Sequence, residues 1–237
     1  MIVYGRNPVR EAVRGPRFVR RAWVVPAAAR AADFLTQAGV PVGVEDTGAL
    51  EARCGSAGHQ GLCAEVEDFA YADADALLAG PDPLLVALDE VQDPQNLGSV
   101  CRSAECAGAT GLVVPERRSA AVTAAVCRAS AGAVEHLPVA RVRNLADFLL
   151  AARGAGCWSY GADAGARVLY DTPDYRGGVI LVLGSERRGL RPRVASACDE
   201  LVALPLRGRV ASLNVGAAAA ALLYEIVQSR LDTPRPT

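Results

Sequence analysis

The stretch LPLRGRVASLNVGAAAAALLYEIV, residues 204–227, is the part of the chain around which the rest is organised. It combines a short apolar strand, a loop rich in glycine and arginine, and an alanine-dense segment whose apolar residues recur at helical spacing. Ser212 or Asn214 is suited to cap this helix, because a short polar side chain accepts hydrogen bonds from N–H groups that the first turn leaves free. The small residues at 216–221 predict that the helix packs closely against another backbone.

Two further polar clusters follow apolar runs of the kind that form buried strands. The first extends from Asn96 to Arg102, after the run LLVALD, and the second from Gly184 to Glu186, at the end of the run VILVLG. Ligands of open α/β sheets bind outside the carboxyl ends of the strands. We therefore expect both clusters and the segment at 204–214 to converge on one site.

The order of helical and strand patterns predicts two α/β domains. In residues 1–67 we expect a helix capped by Asn7, a strand at 21–25, an alanine-rich helix from about Ala28, a strand at PVGVE, a short helix near Leu50 and a strand at LCAEVE. Residues 68–83 are acidic, contain two prolines near their end, and are predicted to be an interdomain linker with one helical turn.

Residues 84–237 alternate apolar strands with helices, which predicts a Rossmann-like, largely parallel sheet. The strands are expected at LLVALD, LVVP, HLPVA, CWSYG, VILVLG and LVALP. The helices are expected at 97–107, 120–128, 144–153 and after Asn214.

Composition excludes several classes of protein. The chain contains no lysine, so Schiff-base chemistry and a P-loop lysine are excluded. Seven scattered cysteines without a CxxC pair, together with only two histidines, predict reduced thiols in a cytoplasm and no metal site. No apolar run reaches the roughly 18 residues of a membrane span and no signal-peptide pattern is present, so we expect no membrane partner.

Charge is unevenly distributed although its sum is only −1. Residues 1–30 hold seven arginines and one acid, whereas residues 68–90 hold six acids and no arginine. Charge alone favours a solvated surface for the arginine-rich segment, and a patch that contacts phosphates is the alternative.

Other catalytic motifs are absent from the sequence. GAGCWS begins like a dinucleotide-binding fingerprint but has Ser159 where the third glycine belongs. The chain also lacks a G-x-S-x-G elbow, an H-E-x-x-H pair and a Walker A pattern.

Three segments resemble the motifs of the SpoU (TrmH) family of RNA ribose 2′-O-methyltransferases, in the knotted SPOUT superfamily. They are DPQNLGSVCRSAECAG (93–108), LVLGSERRGLRP (181–192) and LPLRGRVASLNVGAA (204–218). YGRNPVREAV and HQGLCAEV (59–66) resemble the RNA-binding domain of some members. The resemblance covers nearly the whole chain. It implies a substrate RNA-binding domain at 1–67 and a methyltransferase domain at 84–237 with a C-terminal trefoil knot. It also implies S-adenosylmethionine (AdoMet) as cofactor, and a homodimer paired through the knot.

The resemblance also implies roles for individual residues. Backbone groups of Gly184, Leu204 and Leu213 would bind the cofactor. Glu186 would orient Arg102 or Asn214, and Ser212 and Asn214 would donate or accept hydrogen bonds at the substrate or at Arg102. The alternative for Glu186 is an ion pair with a neighbouring arginine. Gly216 stands where relatives often have serine.

Arg102 is the residue that handles the reacting ribose in the family pattern. A guanidinium is a poor general base because it stays protonated in proteins. We therefore favour a role in fixing the ribose and adjacent phosphate and in stabilising the developing alkoxide. Direct proton abstraction and a purely exposed surface position remain open. Asn96 precedes Arg102 by six residues, a spacing that does not place both on one helical face, so we expect Asn96 in the turn before the helix.

The resemblance points to a guanosine of 23S rRNA as substrate. The segment VPERRSA (114–120) resembles a loop of members that act on large-subunit ribosomal RNA, and minimal tRNA-modifying relatives lack an N-terminal domain. The alternatives are a tRNA ribose methyltransferase, an antibiotic-resistance rRNA methyltransferase, and a non-catalytic RNA-binding or assembly protein.

Overall fold

The computed structural model describes residues 1–231 and contains two β-sheets. The smaller sheet has the strand order β1-β4-β2-β3, in which β2 and β3 are parallel and the other pairs antiparallel. Its strands are β1 (Ile2–Tyr4), β2 (Val19–Val24), β3 (Val42–Val44) and β4 (Leu62–Val66). β1 was not predicted from the sequence.

The helices of this N-terminal part are short. They are α1 (Arg6–Arg14), α2 (Asp33–Gln37) and α3 (Thr47–Cys54). The predicted cap at Asn7 is wrong, because α1 begins at Arg6 and Gly5 precedes it. The alanine-rich helix is a 3₁₀ segment, Pro26–Ala32, that leads into α2.

The larger sheet has seven strands in the order β7-β6-β5-β10-β8-β11-β9, and all of its pairings are parallel. The strands are β5 (Leu84–Asp89), β6 (Gly111–Pro115), β7 (Val139–Val142), β8 (Cys157–Ala162), β9 (Val168–Leu169), β10 (Gly178–Gly184) and β11 (Glu200–Ala203). The predicted parallel α/β sheet is confirmed. The two-residue strand β9 was not predicted.

Five helices surround this sheet: α4 (Pro94–Cys106), α5 (Ala124–Ala129), α6 (Leu145–Gly154), α7 (Pro192–Ala195) and α8 (Val215–Leu231). Two predicted starts are wrong, since α4 begins at Pro94 rather than 97 and α5 begins at Ala124 rather than 120. In α4 the side chain of Asp93 accepts a hydrogen bond from the Gln95 amide, and Pro94 in the first turn has no N–H that would need an acceptor.

The central strands β5, β6 and β10 are buried on both faces. Alternate residues of β5 join different apolar clusters: Leu88 lies with residues of α4 and α8 such as Leu222, and Leu85 lies with residues of α6 such as Leu149. This alternation follows from the two-residue period of a strand. It explains why LLVALD is apolar throughout, as strands covered by helices on both sides are.

α8 packs closely on α4, as its small residues predicted. A Cβ atom added at Gly216 would lie 2.3 Å from Oγ of Ser99 on α4. Only glycine permits this approach, so the departure from the serine of the relatives is accommodated by close helix packing.

The two parts of the chain are docked on one another. Arg17 donates through Nε to Oε2 of the buried Glu135 at 2.8 Å and through Nη1 to the carbonyl of Glu67 at 2.9 Å. Segment 68–83 has one 3₁₀ turn, Ala76–Leu78, and its Ala72 amide donates to the carbonyl of Val139 at the edge of the larger sheet (2.8 Å). Among residues 1–231, no helix is both long and apolar enough to cross a bilayer.

Candidate active site

Three loops meet at the carboxyl ends of the central parallel strands. They follow β5, β10 and β11, and they carry the three polar clusters found in the sequence. Cavities at this edge are lined by residues of all three loops. The predicted convergence is therefore observed at the position where open α/β sheets bind ligands.

Asn214 connects the three clusters through its side-chain amide. Its Nδ2 donates to Oδ1 of Asn96 at 2.9 Å and to Oε1 of Glu186 at 2.5 Å. Its Oδ1 accepts from the Gly216 amide at 2.9 Å, so Asn214 caps α8 and Ser212 does not. These contacts fix the orientation of the Asn214 side chain. Its oxygen must face the backbone N–H of Gly216, and its nitrogen must face the oxygens of Asn96 and Glu186.

Asn96 lies inside the first turn of α4, and the predicted position in a preceding turn is wrong. The side chain is largely buried, since the residue is only 9% exposed. The turn begins earlier than expected because Asp93 and Pro94 form a capped helix start. The helix backbone therefore holds Asn96 against Asn214.

Arg102 lies apart from this polar cluster. It is exposed on α4, and within residues 1–231 it has no hydrogen bond or ion pair. Glu186 consequently contacts Asn214 and not Arg102. Ser212 also makes no hydrogen bond to Arg102 among the described residues. The chain thus brings together Asn96, Glu186 and Asn214 and leaves Arg102 outside.

A cavity of about 300 Å³ lies between the loop after β10 and the segment that precedes α8. Gly184, Leu204, Leu213 and Ser212 all line it, so the residues predicted to bind the cofactor share one wall. A Cβ atom at Gly184 would lie 2.1 Å from the carbonyl carbon of Gly189. Glycine is required there for the loop to fold back and close the cavity.

The lining of this cavity fits a nucleoside with a charged tail. Apolar side chains make up much of its lining, and Asp163, Ser185, Glu186 and Arg188 add polar and charged groups. Such a volume is at the lower end of the roughly 300–1,000 Å³ usual for small-molecule sites. Sequence reasoning missed Asp163, although it follows the predicted strand CWSYG directly and so had to lie at the same sheet edge.

A second, polar cavity of about 750 Å³ adjoins the first. Asn96 and Glu186 line it, and Ser185, Glu186 and Arg188 belong to both cavities. Other polar side chains of this wall, which the sequence did not single out for this role, are Glu90, Gln92, Asp93, Arg118 and Arg187. The Asn96–Asn214–Glu186 cluster therefore reaches both cavities, because Glu186 lines the mostly apolar cavity and the polar one and Asn96 lines the polar one.

A buried ion pair anchors the loop that carries Glu186. Asp89, fully buried at the end of β5, accepts from the Arg191 amide (2.8 Å) and from its Nε (2.7 Å). The hydrogen bond to Asp89 raises the pKa of the Arg191 guanidinium. The sequence did not reveal this contact, which joins residues 102 positions apart.

The thiol next to Arg102 in the sequence is buried and protonated. Complete burial raises the pKa of the neighbouring Cys101 thiol to about 12, so it is not a thiolate at neutral pH. Within residues 1–231, no group of three or more His, Cys, Asp and Glu side chains is placed to hold a metal ion.

Similarity to known families covers most of the chain. Residues 83–224 match the SpoU rRNA Methylase family, and residues 2–72 match the RNA 2′-O ribose methyltransferase substrate-binding domain. The chain is 36% identical to the TrmH family tRNA/rRNA methyltransferase YacO of Bacillus subtilis (strain 168), over 96% of this chain and 95% of that protein.

Solved structures give the same result. The SpoU methyltransferase AviRb from Streptomyces viridochromogenes, in complex with AdoMet, matches with a TM-score of 0.83 and 29% identity over 99% of this chain and 91% of that chain. The AdoMet-bound rRNA methyltransferase from Sinorhizobium meliloti matches with a TM-score of 0.80 and 26% identity over 96% and 86%.

The fold and the site define an AdoMet-dependent RNA methyltransferase, with the small α/β domain as its RNA-binding part. The chain belongs to the SpoU (TrmH) family, within the SPOUT class that the three sequence motifs predicted.

Proposed function

We propose that this enzyme transfers the methyl group of AdoMet to a ribose 2′-hydroxyl, that of a guanosine in 23S rRNA. One observation carries the proposal: Glu186, which Asn214 joins to Asn96 by hydrogen bonds, lines both a cavity suited to the cofactor and a polar cavity with room for a nucleotide. A hydroxyl entering from the polar side would meet the cofactor at this cluster.

In this proposal the apolar cavity holds the cofactor through backbone groups of Gly184, Leu204 and Leu213. AdoMet supplies a methyl group that its sulfonium charge makes electrophilic. The loops enclose the adenine in apolar side chains, while the carboxylates of Asp163 and Glu186 lie on the lining where a cationic ligand is favoured.

The polar residues position the ribose. Asn96, Ser212 and Asn214 supply hydrogen bonds at the boundary of the two cavities, and Glu186 orients Asn214. The 2′-oxygen would form a bond to the methyl carbon while the bond between that carbon and the sulfur breaks, which leaves a neutral thioether, and the hydroxyl proton would pass to solvent. Arg102 fixes the ribose and adjacent phosphate and stabilises the charge that develops on this oxygen, because a fixed cation favours that charge.

We also propose a homodimer whose second copy completes the site around Arg102. Support comes from large apolar side chains that one protomer leaves exposed near the site and along α8, and from the exposed position of Arg102 itself. These side chains are Leu206, Val210, Leu213, Tyr224 and Leu231. A symmetric pair is the commonest oligomer.

Ribosomal RNA is favoured as substrate by two features. The N-terminal domain matches a substrate-binding family, and the loop at 114–120 presents Arg117 and Arg118 beside the polar cavity.

All seven cysteines are free thiols, which supports a reducing compartment such as the cytoplasm.

The test is to incubate the protein with labelled AdoMet and, separately, protein-free 23S rRNA, 16S rRNA and tRNA, then map ribose methylation at nucleotide resolution. We expect one 2′-O-methylguanosine in 23S rRNA. A methyl group on a base would contradict ribose chemistry. A methylated tRNA ribose would preserve the reaction and replace the substrate.

A further inference from the structure

A third cavity, of about 280 Å³, opens where β6 and β7 end and α6 begins. Five arginines from three separate segments line it, although they are spread over 77 positions of the chain. They are Arg117, Arg118, Arg143, Arg191 and Arg193. Neither the proposed cofactor site nor the Asn96–Asn214–Glu186 cluster uses this cavity.

Two of these arginines have no acidic partner. Arg193 pairs with Asp147 (2.7 Å), Arg118 pairs with Glu90 (3.1 Å), and Arg191 pairs with Asp89. Within residues 1–231, Arg117 and Arg143 make neither a hydrogen bond nor an ion pair through their side chains, and both are exposed. The cavity therefore keeps positive charge that the protein itself does not neutralise.

The start of α6 adds to this charge. Asn144 caps the helix by accepting from the Ala146 amide at 3.1 Å, and both residues line the cavity. The amino-terminal end of the ten-residue helix α6 thus faces the arginines. The dipole of the helix makes such an end favourable for anions, although the Asn144 side chain already accepts from the first amides.

Arg118 links this cavity to the polar cavity beside Asn96 and Glu186, because its side chain lines both. Its backbone adopts a left-handed conformation with φ of 60°, and that of its partner Glu90 adopts φ of 59°. Residues other than glycine seldom adopt a positive φ, because their side chains make this backbone conformation strained. Backbone strain of this kind concentrates at functional sites. The backbone is held in a conformation that directs Arg118 to the boundary of two cavities.

We propose that the arginine-lined cavity is a subsite for the RNA phosphate backbone, next to the nucleotide that enters the polar cavity. Arg117 and Arg143 each contact one phosphate of the backbone, and Arg118 lies between this subsite and the reacting nucleotide. The proposal rests on the proposed placement of RNA in the polar cavity. It gives the catalytic domain a backbone contact of its own, in addition to the N-terminal RNA-binding domain.

The experiment measures the salt dependence of RNA binding. The affinity of a fluorescently labelled single-stranded RNA of mixed sequence is determined across a series of salt concentrations for the wild type and for Arg117→Ala/Arg143→Ala. Each phosphate contact on a single strand contributes about 0.7 to the log–log slope, so loss of two should flatten it by about 1.4. Arg117→Lys/Arg143→Lys keeps the charges and should keep the slope.

Arg167→Ala is the matched control. Arg167 is also exposed and without a partner among residues 1–231, but it precedes β9 at the opposite edge of the sheet from β7. We expect Arg167→Ala to leave the slope unchanged.

A second measurement uses 23S rRNA as substrate. The double alanine variant should raise KM for RNA and leave kcat and AdoMet affinity near wild type.

A double alanine variant with the wild-type slope would overturn the subsite, as would an equal effect of Arg167→Ala. These outcomes are distinct from failure of the proposed function. If the wild type methylates a base or another RNA, the proposed function is wrong, whatever the salt dependence of RNA binding shows. If the wild type methylates the expected ribose and the slopes are equal, only the subsite fails.

Discussion

Both polar atoms of the Asn214 side chain form hydrogen bonds, immediately before the start of α8. Its oxygen accepts from the helix amide of Gly216, and its nitrogen donates to Asn96 and Glu186. An aspartate could cap the helix equally well but has no donor for the two oxygens. The residue that caps α8 is therefore also the residue that joins Asn96 and Glu186 in the site.

Arg102 provides the prediction at this scale. Arg102→Ala should lower the methylation rate about a hundred- to a thousand-fold, the usual effect of removing one electrostatic stabiliser. AdoMet affinity and thermal stability should be unchanged, because the side chain is exposed and outside the cofactor cavity. Arg102→Lys should recover little, since lysine lacks the planar fork. Single-turnover methylation and calorimetric AdoMet titration check both parts; full activity in Arg102→Ala would make Arg102 a surface residue.

At the scale of elements, the loop between β10 and α7 connects both cavities to the sheet. Residues of this loop line the cofactor cavity and the polar cavity, and Glu186 reaches Asn214 from it. Its far end is held by Arg191 on Asp89. The position of Glu186 therefore depends on an ion pair that lines neither the cofactor cavity nor the polar cavity.

Asp89→Asn should loosen this loop. The variant keeps the shape of the side chain but loses the charge that Arg191 pairs with, and we expect a loss of about 1–3 kcal/mol of stability. AdoMet affinity should fall in parallel, because Gly184, Ser185 and Gly189 form the cavity wall. Thermal unfolding and AdoMet titration measure the two effects.

Asp147→Asn is the control for that variant, because Asp147 also pairs with an arginine of this region but is exposed. Exposed pairs contribute about 0–1 kcal/mol, so both measurements should stay near wild type. If Asp89→Asn lowered stability without weakening AdoMet binding, the ion pair would be structural only and would not position the loop.

At the scale of the whole molecule, a buried ion pair joins the RNA-binding part to the methyltransferase domain. The side chains of Arg17 and Glu135 are 7% and 0% exposed. Burial, the largest single effect, lowers the pKa of the Arg17 guanidinium, but the hydrogen bonds and charges of Glu135 and Cys127 together raise it above its usual value. One of the seven N-terminal arginines therefore serves domain docking and not RNA.

Arg17→Met should destabilise the protein by about 3–5 kcal/mol, because it leaves the buried carboxylate of Glu135 without a partner. Arg17→Met/Glu135→Leu should regain most of that loss, since no charge remains buried. Arg20→Met is the control, as Arg20 and Glu67 form an exposed pair. Urea unfolding measures all three. A cost for Arg17→Met as small as that for Arg20→Met would contradict the docking role.

The proposed homodimer gives the last prediction. Light scattering at micromolar concentration should report twice the mass of the 24.6 kDa chain. Val210→Asp and Tyr224→Asp place charge on exposed apolar positions, so they should shift the protein toward monomer and reduce methylation together. Leu150→Asp, at an exposed position on α6, should do neither. A fully active monomer would contradict a site shared between copies.

The sequence by itself determined the class of fold and the composition of the site. Apolar runs alternating with helical patterns predicted the parallel sheet, and polar clusters directly after those runs predicted which loops meet. Both are local properties: strand and helix periods are set by neighbouring residues, and the carboxyl ends of parallel strands share an edge whatever the connections. Errors arose where local preferences are weak, as at Asn7, because a cap contributes only about 1 kcal/mol.

Only the tertiary structure decided which distant side chains meet. Asp89 and Arg191, Arg17 and Glu135, and the arginines of the third cavity are each separated by long stretches of chain. No periodicity relates such residues, because their distance depends on strand order and on the docking of the two domains. The same holds for Arg102, whose motif predicted a place in the site but whose helix faces it outward, into solvent, in a single protomer.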